Sequence, residues 1–225
     1  MRGLDLFCGA GGASRGYTYA GHTMVGVDIN PQKRYEYPFI QAEAMDFLKR
    51  LINGEIIQGY SLDMFDFIHA SPPCQEYSLF LRGRLVYERP KLIPKLRRLL
   101  LKTNKIYIIE NVPGAPLNTP CVLCGTSFGL RLKRHRLFES NIPLISLPCA
   151  HRGVKVIDPM SKRGNDRFKL ENDPRPIERA WREEMGVVWM TQYEARESIP
   201  PVFTHFIGGQ LKKGKKSLCT SAVAL

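Results

Sequence analysis

The sequence has no long hydrophobic run, no internal repeat and no low-complexity tract. None of its apolar stretches approaches the roughly 20 residues that a transmembrane helix requires. The first residues, MRGLDLFCGAGG, also lack the pattern of a secretory signal. We therefore expect a soluble, cytoplasmic protein without a membrane partner.

Acidic residues are few compared with basic ones. The chain has 21 Asp and Glu against 33 Lys and Arg, which gives a formal net charge of +12. This excess favours a polyanionic partner, nucleic acid above all. A basic surface without a specific partner explains the charge equally well.

Disulfide bonds are not indicated either. The six cysteines are spread over 225 residues, and no secretory feature accompanies them. This pattern favours reduced thiols, so one of them can be reactive. The length of the chain, with 44% apolar residues, predicts one ordinary core and a small appendage.

Short apolar runs alternate with helical patterns along the first half of the chain. The expected strands are RGLDLF, TMVGVDIN, a brief one around FIQ, MFDFIHA and KIYIIENV, and the expected helices are ASRGYTYAG, AEAMDFLKRLING and PKLIPKLRRLLLKTN. Such alternation predicts an α/β fold with a doubly wound, mostly parallel sheet.

The second half of the chain is less regular. RHRLFES reads as a strand, and residues 141–186 are rich in Pro, Arg, Asp and Gly, with one helix expected around IERAWREEM. TQYEARESIPPVFTHFIGGQLKK recovers helical spacing around a Pro-Pro break. We therefore predict a main domain of residues 1–140 plus 187–225 and a small irregular region of residues 141–186.

Polar or flexible residues fall where the expected strands end. Phe7, Asp28, Cys74 and Glu110 lie at or just beyond these ends, where open parallel sheets bind ligands. The glycine loop after the first strand departs from the G-x-G-x-x-G pattern, but Asp28 suits ribose hydroxyls. A nucleoside-containing cofactor is one interpretation, and a tight turn with Asp28 as a capping residue is the other.

Cys74 stands in the segment SPPCQEYS. Pro72 and Pro73 can hold a rigid loop that projects the next side chain. We expect Arg82 and Arg84 in the following loop to lower the pKa of the thiol, which favours a nucleophilic role. A buried structural cysteine is the alternative.

A thiolate, a carboxylic acid and a polyanionic partner suit one reaction in particular. Addition of a thiolate at C6 of cytosine makes C5 of the ring nucleophilic. A carboxylic acid at N3, as Glu110 could supply, and the arginines Arg134 and Arg136 near O2 would stabilise the charge that develops.

Four motifs occur in an order that resembles the DNA cytosine-5 methyltransferase family: DLFCGAGGASRGY, SPPCQEYS, IIENVPG and RLKRHRLFES. The similarity covers about Leu4 to Ser140 and the segment IPPVFTHFIGGQL. The short chain is similar in style to the compact versions that phages carry. The resemblance implies a Rossmann-like methyltransferase fold and a protein acting on double-stranded DNA in the cytoplasm of a bacterial or phage-infected cell. The sequence does not determine the oligomeric state, and we favour a monomer.

The resemblance also implies roles for individual residues. Cys74 would be the nucleophile, Glu110 would bind N3 and N4, and Arg134 and Arg136 would orient a base flipped out of the duplex. S-adenosylmethionine would be bound by residues of the strand ends and the second helix, namely Phe7, Gly9, Gly11, Gly12, Asp28, Ile29, Asp46, Phe47 and Pro73. DNA would be contacted by the loop after the nucleophile, through Gln75, Ser78, Arg82 and Arg84.

The sequence departs from the family pattern in three places. Leu132 stands where the arginine motif usually opens with Gln, and FIGGQLKKGKK lacks the usual Gly-Asn pair. The region 141–186 is shorter than the usual target recognition domain, which predicts a short or degenerate target sequence.

Alternatives remain open at this stage. An RNA cytosine-5 methyltransferase could use the same core, and a catalytically silent relative could bind nucleic acid alone. Cys121, Cys124, Cys149 and His151 form a possible zinc set. We favour the interpretation of CVLCG as a core strand with small buried cysteines and no metal.

Overall fold

The computed structural model describes residues 1–74, 92–152 and 176–221, with side chains described as far as residue 211. Its strands are β1 (Arg2–Leu6), β2 (Thr23–Asp28), β3 (Phe39–Gln41), β4 (Phe67–Ala70), β5 (Ile106–Asn111), β6 (Cys121–Cys124) and β7 (His135–Ser140). Its helices are α1 (Gly12–Tyr19), α2 (Ala44–Ile52), α3 (Leu92–Lys102), α4 (Ile177–Met185), α5 (Gln192–Glu197) and α6 (Pro201–Ser221). Short 3₁₀ turns occupy Leu62–Met64 and Gly125–Phe128.

The seven strands form one sheet in the order β3-β2-β1-β4-β5-β7-β6. The first five run parallel, and β7 is antiparallel to both β5 and β6. The predicted doubly wound, mostly parallel sheet is therefore confirmed. The strand order reverses between β1 and β4, so the loops after these two strands diverge and leave a crevice for a ligand.

Side chains that alternate along the strands fill a core on each face of the sheet. On one face, Leu4 and Ile68 pack against α2 and α3. On the other, Phe67 and Ile108 pack with α1 and α6. Both faces are buried because parallel strands are covered by helices on either side, which explains why β4 and β5 are buried along their whole length.

A third apolar cluster lies beside the crevice. Trp181 and Met185 of α4 pack with Met190, Ala10 and Leu132. The Trp189 indole also donates a hydrogen bond of 3.0 Å to the Ala10 carbonyl in the loop after β1. The described part of the irregular region therefore packs against the loops that border the crevice, and the division at 141–186 stays a prediction.

None of the helices in the described parts of the chain has the length and hydrophobicity to span a bilayer.

Helices α1 and α6 touch at Gly16, where backbone meets backbone. A Cβ at this position would collide with the Pro201 carbonyl oxygen and the Thr204 hydroxyl. We expect Gly16→Ala to lower the free energy of unfolding by about 1–3 kcal/mol or more, because α6 must move away. Urea denaturation of the purified protein measures the change.

Gly209 provides a matched control for this substitution. It lies within α6, and an added Cβ meets nothing within 4 Å. Gly209→Ala should be neutral or raise stability by about 0.5–1 kcal/mol, as alanine does in a helix interior. Equal destabilisation by both variants would show that the α1–α6 contact is not the cause.

Candidate active site

The loop after β1 turns sharply through residues with positive φ. Phe7 (φ 61°), Gly9 (φ 48°) and Gly11 (φ 87°) all adopt this conformation, and Gly11 precedes the first turn of α1. Positive φ is rare and costly for a residue such as Phe7, and it recurs at binding sites. The turn therefore brings the backbone close to the crevice. Gly9 and Gly11 make this possible because glycine adopts positive φ without steric cost.

Asp28 joins this loop to the end of β2. Its Oδ2 accepts a hydrogen bond of 3.1 Å from Gly9 N, and its Oδ1 accepts one of 2.9 Å from Asn30 N. The carboxylate therefore caps two loops, as the alternative interpretation proposed, and it also borders the cavity. Its contact with a ribose stays a prediction.

A cavity of about 280 Å³ opens at the point where the strand order reverses. Of the residues predicted to bind the cofactor, Phe7, Gly9, Gly12, Ile29 and Pro73 line it. Their contact with the cofactor stays a prediction. Carboxylates dominate its charged lining, which consists of Asp5, Asp28, Glu110, Glu194 and Glu197. No Lys or Arg is among the described lining residues, although the whole chain has a charge of +12. The cavity therefore suits a cationic ligand and repels phosphate.

Asp5 is one of the lining residues that the sequence analysis missed, together with Glu194 and Glu197. It is fully buried on β1, and Ser14 Oγ donates a hydrogen bond of 2.6 Å to its Oδ2. Its Oδ1 is buried without a hydrogen-bond partner among the described residues. Burial raises the pKa of Asp5 to about 7; the Ser14 hydrogen bond opposes this, and the charge of Asp28 adds to it. The sequence signal that could have identified Asp5 is a single acidic residue within the otherwise apolar run of β1.

Asn111 holds the proline loop that carries Cys74. Its Nδ2 donates a hydrogen bond of 2.9 Å to the Pro72 carbonyl, so the end of β5 fixes the loop after β4. Cys74 is half-buried two residues later. The motif IIENVPG contained Asn111, but sequence reasoning gave it no role.

The pKa of Cys74 differs from the expectation. Burial raises the pKa of this thiol; Arg136 lowers it, and Glu197 and Glu110 raise it further. A cation does act on the sulfur, but the described cation is Arg136, and the cost of burying a thiolate outweighs it. The expected depression of the pKa is therefore wrong for this conformation. Arg82 and Arg84, to which it was attributed, lie outside the described residues.

Glu110 is buried at the end of β5 beside Arg136. Its Oε1 lies 3.0 Å from Arg136 Nε, without the geometry of a hydrogen bond. Burial raises the pKa of Glu110, whereas Arg136, Arg134 and a hydrogen bond from Ser71 lower it. Because burial is the largest of these effects, the carboxyl group retains its proton to a higher pH than an exposed glutamate.

A buried chain of polar groups leads to Glu110 through Ser71. The Tyr17 hydroxyl lies 3.0 Å from His69 Nδ1, and His69 Nε2 lies 2.9 Å from Ser71 Oγ. Burial lowers the pKa of His69 to about 3, so the imidazole is neutral. A neutral ring that accepts from Tyr17 and donates to Ser71 leaves the Ser71 hydroxyl free to donate to Glu110. Sequence reasoning missed His69 because nothing in MFDFIHA shows where its ring points.

Arg134 and Arg136 have different surroundings. Arg134 Nη2 donates hydrogen bonds of 2.6 Å to the carbonyls of Arg196 and Ser198, at the end of α5. Arg134 therefore ties the segment before β7 to the cavity wall, while Arg136 faces Glu110. Their predicted contacts with a nucleotide stay predictions.

The structure does not bring every predicted residue to the cavity. Asp46 is exposed on the first turn of α2, and Phe47 is buried in the main core. Gly12 lines the cavity, but it also packs so tightly that a Cβ would collide with the Ser198 side chain. The predicted DNA contacts Gln75, Ser78, Arg82 and Arg84 all lie outside the described residues.

The four possible zinc ligands considered from the sequence are not the four that the structure brings together. Cys121 Sγ donates to the Ile145 carbonyl at 3.1 Å, away from the other members. Cys124, Cys149 and His151 do converge, and His135 joins them in place of Cys121.

Residues 1–118 match the family model described as C-5 cytosine-specific DNA methylase. The chain belongs to this family. The resemblance drawn from the four sequence motifs is thereby confirmed at the level of the family. Among relatives of this chain, the type II methyltransferase M.XorII of Xanthomonas oryzae pv. oryzae is 31% identical over 119 residues, which is 50% of this chain and 28% of the relative. The type II methyltransferase M1.HphI of Haemophilus parahaemolyticus is 31% identical over 118 residues, which is 48% of this chain and 32% of the relative.

The matched part of the chain thus spans only about a third of these relatives. Its fold extends further than its sequence similarity. The S. pombe Dnmt2 methyltransferase superimposes with a TM-score of 0.55, covering 95% of this chain and 98% of that one at 14% identity. At this identity the likeness shows a common fold alone.

Proposed function

We propose that this methylase transfers a methyl group from S-adenosylmethionine to C5 of cytosine in double-stranded DNA, through a covalent bond between Cys74 and C6 of a flipped-out base. The proposal rests chiefly on one arrangement: Glu110 lines the carboxylate-rich cavity and pairs with Arg136, and the charges of both act on the Cys74 sulfur. A nucleophile, an acid and a cation are thereby grouped at the mouth of a site for a cationic ligand.

The acidic lining of the cavity fits the cationic groups of S-adenosylmethionine. This cofactor carries a sulfonium and an ammonium group, and the buried Asp5 Oδ1 lacks a hydrogen-bond donor among the described residues. A phosphate-bearing dinucleotide would meet five acidic side chains and no Lys or Arg among the described lining residues. Asp28 and the backbone of Phe7 and Gly9 would hold the nucleoside end. When bound, the cofactor supplies the methyl group that C5 accepts.

The protein residues divide the remaining chemistry. Cys74 adds to C6 as a thiolate, and Glu110 donates its proton to N3, so that the negative charge on the ring is neutralised. Arg136 favours both events, because a cation stabilises the thiolate and the Glu110 carboxylate left after proton donation. After C5 has accepted the methyl group, a solvent base removes the proton at C5, and the C5–H electron pair forms the C5–C6 double bond and expels Cys74 as a thiolate. N3 returns its proton to Glu110, so the aromatic ring and the acid are both regenerated.

The test compares nucleic acids as methyl acceptors. The protein is incubated with S-adenosylmethionine labelled in its methyl group and with mixed-sequence duplex DNA, single-stranded DNA or RNA. We expect label in 5-methylcytosine from the duplex and none with Cys74→Ala. Label in RNA alone would establish the RNA alternative. Cofactor binding without label in any acceptor, across DNA that contains all short sequences, would show a silent relative.

Asp5 predicts a pH dependence of cofactor binding. With a pKa of about 7 it is mostly protonated at pH 6 and mostly ionised at pH 8, so the attraction for a cation grows over this interval. The ratio of the Kd of Asp5→Asn to that of the wild type should rise about tenfold from pH 6 to pH 8. Calorimetric titration with S-adenosylmethionine measures both constants. Because the variant shares the titration of the ligand itself, a ratio independent of pH would contradict a contact between Asp5 and the cofactor.

A further inference from the structure

Four side chains converge beside β6 and β7, outside the cavity. They are Cys124, His135, Cys149 and His151, and their candidate ligand atoms all lie within 4.8 Å of one another. Cys124 Sγ is 3.2 Å from His151 Nε2, and Cys149 Sγ is 3.4 Å from His135 Nε2. Zinc–sulfur bonds of about 2.3 Å and zinc–nitrogen bonds of about 2.0–2.1 Å imply ligand separations of roughly 3.3–3.8 Å in a tetrahedron. The two measured separations lie close to this range.

The fold itself produces the convergence. Cys124 ends β6 and His135 begins β7, and the two residues are register partners in the antiparallel pair. Cys149 and His151 then arrive together from the segment that follows β7. The two imidazole rings stand at 86° to each other with centroids 5.0 Å apart, which lets both Nε2 atoms face a common centre. Two isolated thiol–imidazole hydrogen bonds would not require all four atoms to gather.

Outer contacts orient the Cys124 sulfur and hold the segment that carries Cys149. Thr126 Oγ1 lies 3.2 Å from Cys124 Sγ and accepts a hydrogen bond of 3.3 Å from Ala150 N. Ser127 Oγ donates a hydrogen bond of 2.9 Å to the Pro148 carbonyl, which holds the backbone next to Cys149. Such outer partners are typical of metal centres, where they fix the orientation of the ligands.

We propose that Cys124, His135, Cys149 and His151 bind one zinc ion in a structural Cys₂His₂ site. Two thiolates and two imidazoles filling a tetrahedron match the donor set of structural zinc and leave no open position for catalysis. The interpretation of CVLCG as a strand without a metal is therefore half right: the strand exists, and one of its two cysteines is a ligand. The ion ties the segment of residues 148–151 to the β6–β7 pair.

The site also bears on the cavity, because His135 stands between Arg134 and Arg136. Arg136 pairs with Glu110, and Arg134 holds the carbonyls of Arg196 and Ser198. Zinc at His135 would fix the backbone from which both arginines extend. The zinc ion thus helps to position Arg134 and Arg136 and takes no part in the reaction.

The test measures metal directly. Protein purified with reductant and without chelator is expected to contain about one zinc per chain by elemental analysis. Replacement by Co²⁺ should give the intense visible bands of tetrahedral coordination and a thiolate charge-transfer band.

Cys149→Ser is the main variant, because Cys149 is exposed and its loss should not disturb the core. It should weaken zinc binding by at least about 100-fold, more than the loss of an outer partner does.

Cys121→Ser is the matched control, since Cys121 lies on the same strand but outside the cluster. It should retain full zinc content and the cobalt spectrum. A chelator should lower the Tm of the wild type and of Cys121→Ser, and leave that of Cys149→Ser unchanged. The proposal is overturned if the wild type binds neither metal, if Cys121→Ser loses as much metal as Cys149→Ser, or if thiol titration of the denatured protein reveals a Cys124–Cys149 disulfide. None of these readouts depends on methyl transfer.

Discussion

Cys74→Ala is expected to abolish methyl transfer, with a loss of about 10⁴-fold or more, because nothing else activates C5 once addition at C6 is impossible. Binding of DNA and of the cofactor should change little, since the substitution removes a single sulfur atom.

The same mechanism predicts that a modified substrate traps the protein covalently on DNA. A fluorine at C5 cannot leave as a proton does, so a duplex with 5-fluorocytosine in an accepted sequence should hold the protein as an adduct. The adduct should form only with S-adenosylmethionine and survive denaturation.

Peptide mapping of that adduct identifies the sulfur. Cys121→Ala serves as the control, because Cys121 lies on β6 and bonds the Ile145 carbonyl instead of facing the cavity. It should trap like the wild type, and Cys74→Ala should not trap at all. Turnover by Cys74→Ala, or attachment at Cys8, would refute the mechanism. The duplex must first be shown to accept label, so that a missing adduct counts against addition at C6.

Glu110→Gln is expected to slow turnover by about 10²–10⁴-fold while cofactor affinity stays within a few-fold of the wild type. Glutamine preserves the shape of Glu110 but has no acidic proton for N3, and it leaves Arg136 without its carboxylate partner. Single-turnover rates at saturating DNA and cofactor measure the chemical step. Equal losses in DNA affinity and in rate would mean that Glu110 is structural.

Glu139 offers a matched control, because it is a buried carboxylate on the neighbouring strand. It is register partner of Ile109, and its Oε2 accepts from Arg97 Nη2 at 2.7 Å. Breaking this buried pair by Glu139→Gln should cost about 3–5 kcal/mol of stability. Turnover per folded molecule should remain close to that of the wild type, since neither partner lines the cavity.

Much of the candidate site could be predicted because its residues follow strands that the sequence marks clearly. Phe7, Asp28 and Glu110 were placed at strand ends from hydrophobic patterning alone, and all three line the cavity. Parallel strands share one carboxyl edge, so local position along the chain already implied proximity in space. Asp46 and Phe47 show the limit of this reasoning. Neighbouring residues on a helix point in different directions, and α2 turns Phe47 into the core.

In the metal cluster, too, one part could be predicted from the sequence motif CVLCG and another part could not. In a strand, residues three apart point to opposite faces, so the strand interpretation of CVLCG already implied that Cys121 and Cys124 could not share one ion. The exclusion of Cys121 could therefore be predicted from the sequence. The inclusion of His135 in the cluster could not, because it depends on the antiparallel register that sets His135 opposite Cys124.

The sequence by itself determined the order of strands and helices, the doubly wound sheet and the family, since these depend on local patterns and on short motifs carried by single loops. Only the tertiary structure decided the electrostatics. The burial of Asp5, whose Oδ1 has no hydrogen-bond partner in the described part of the chain, the attachment of Arg134 to α5 and the raised pKa of Cys74 all arise between segments far apart in the chain. Burial and the distances between charges govern such properties, and both are set only when the strands, loops and terminal helices pack together.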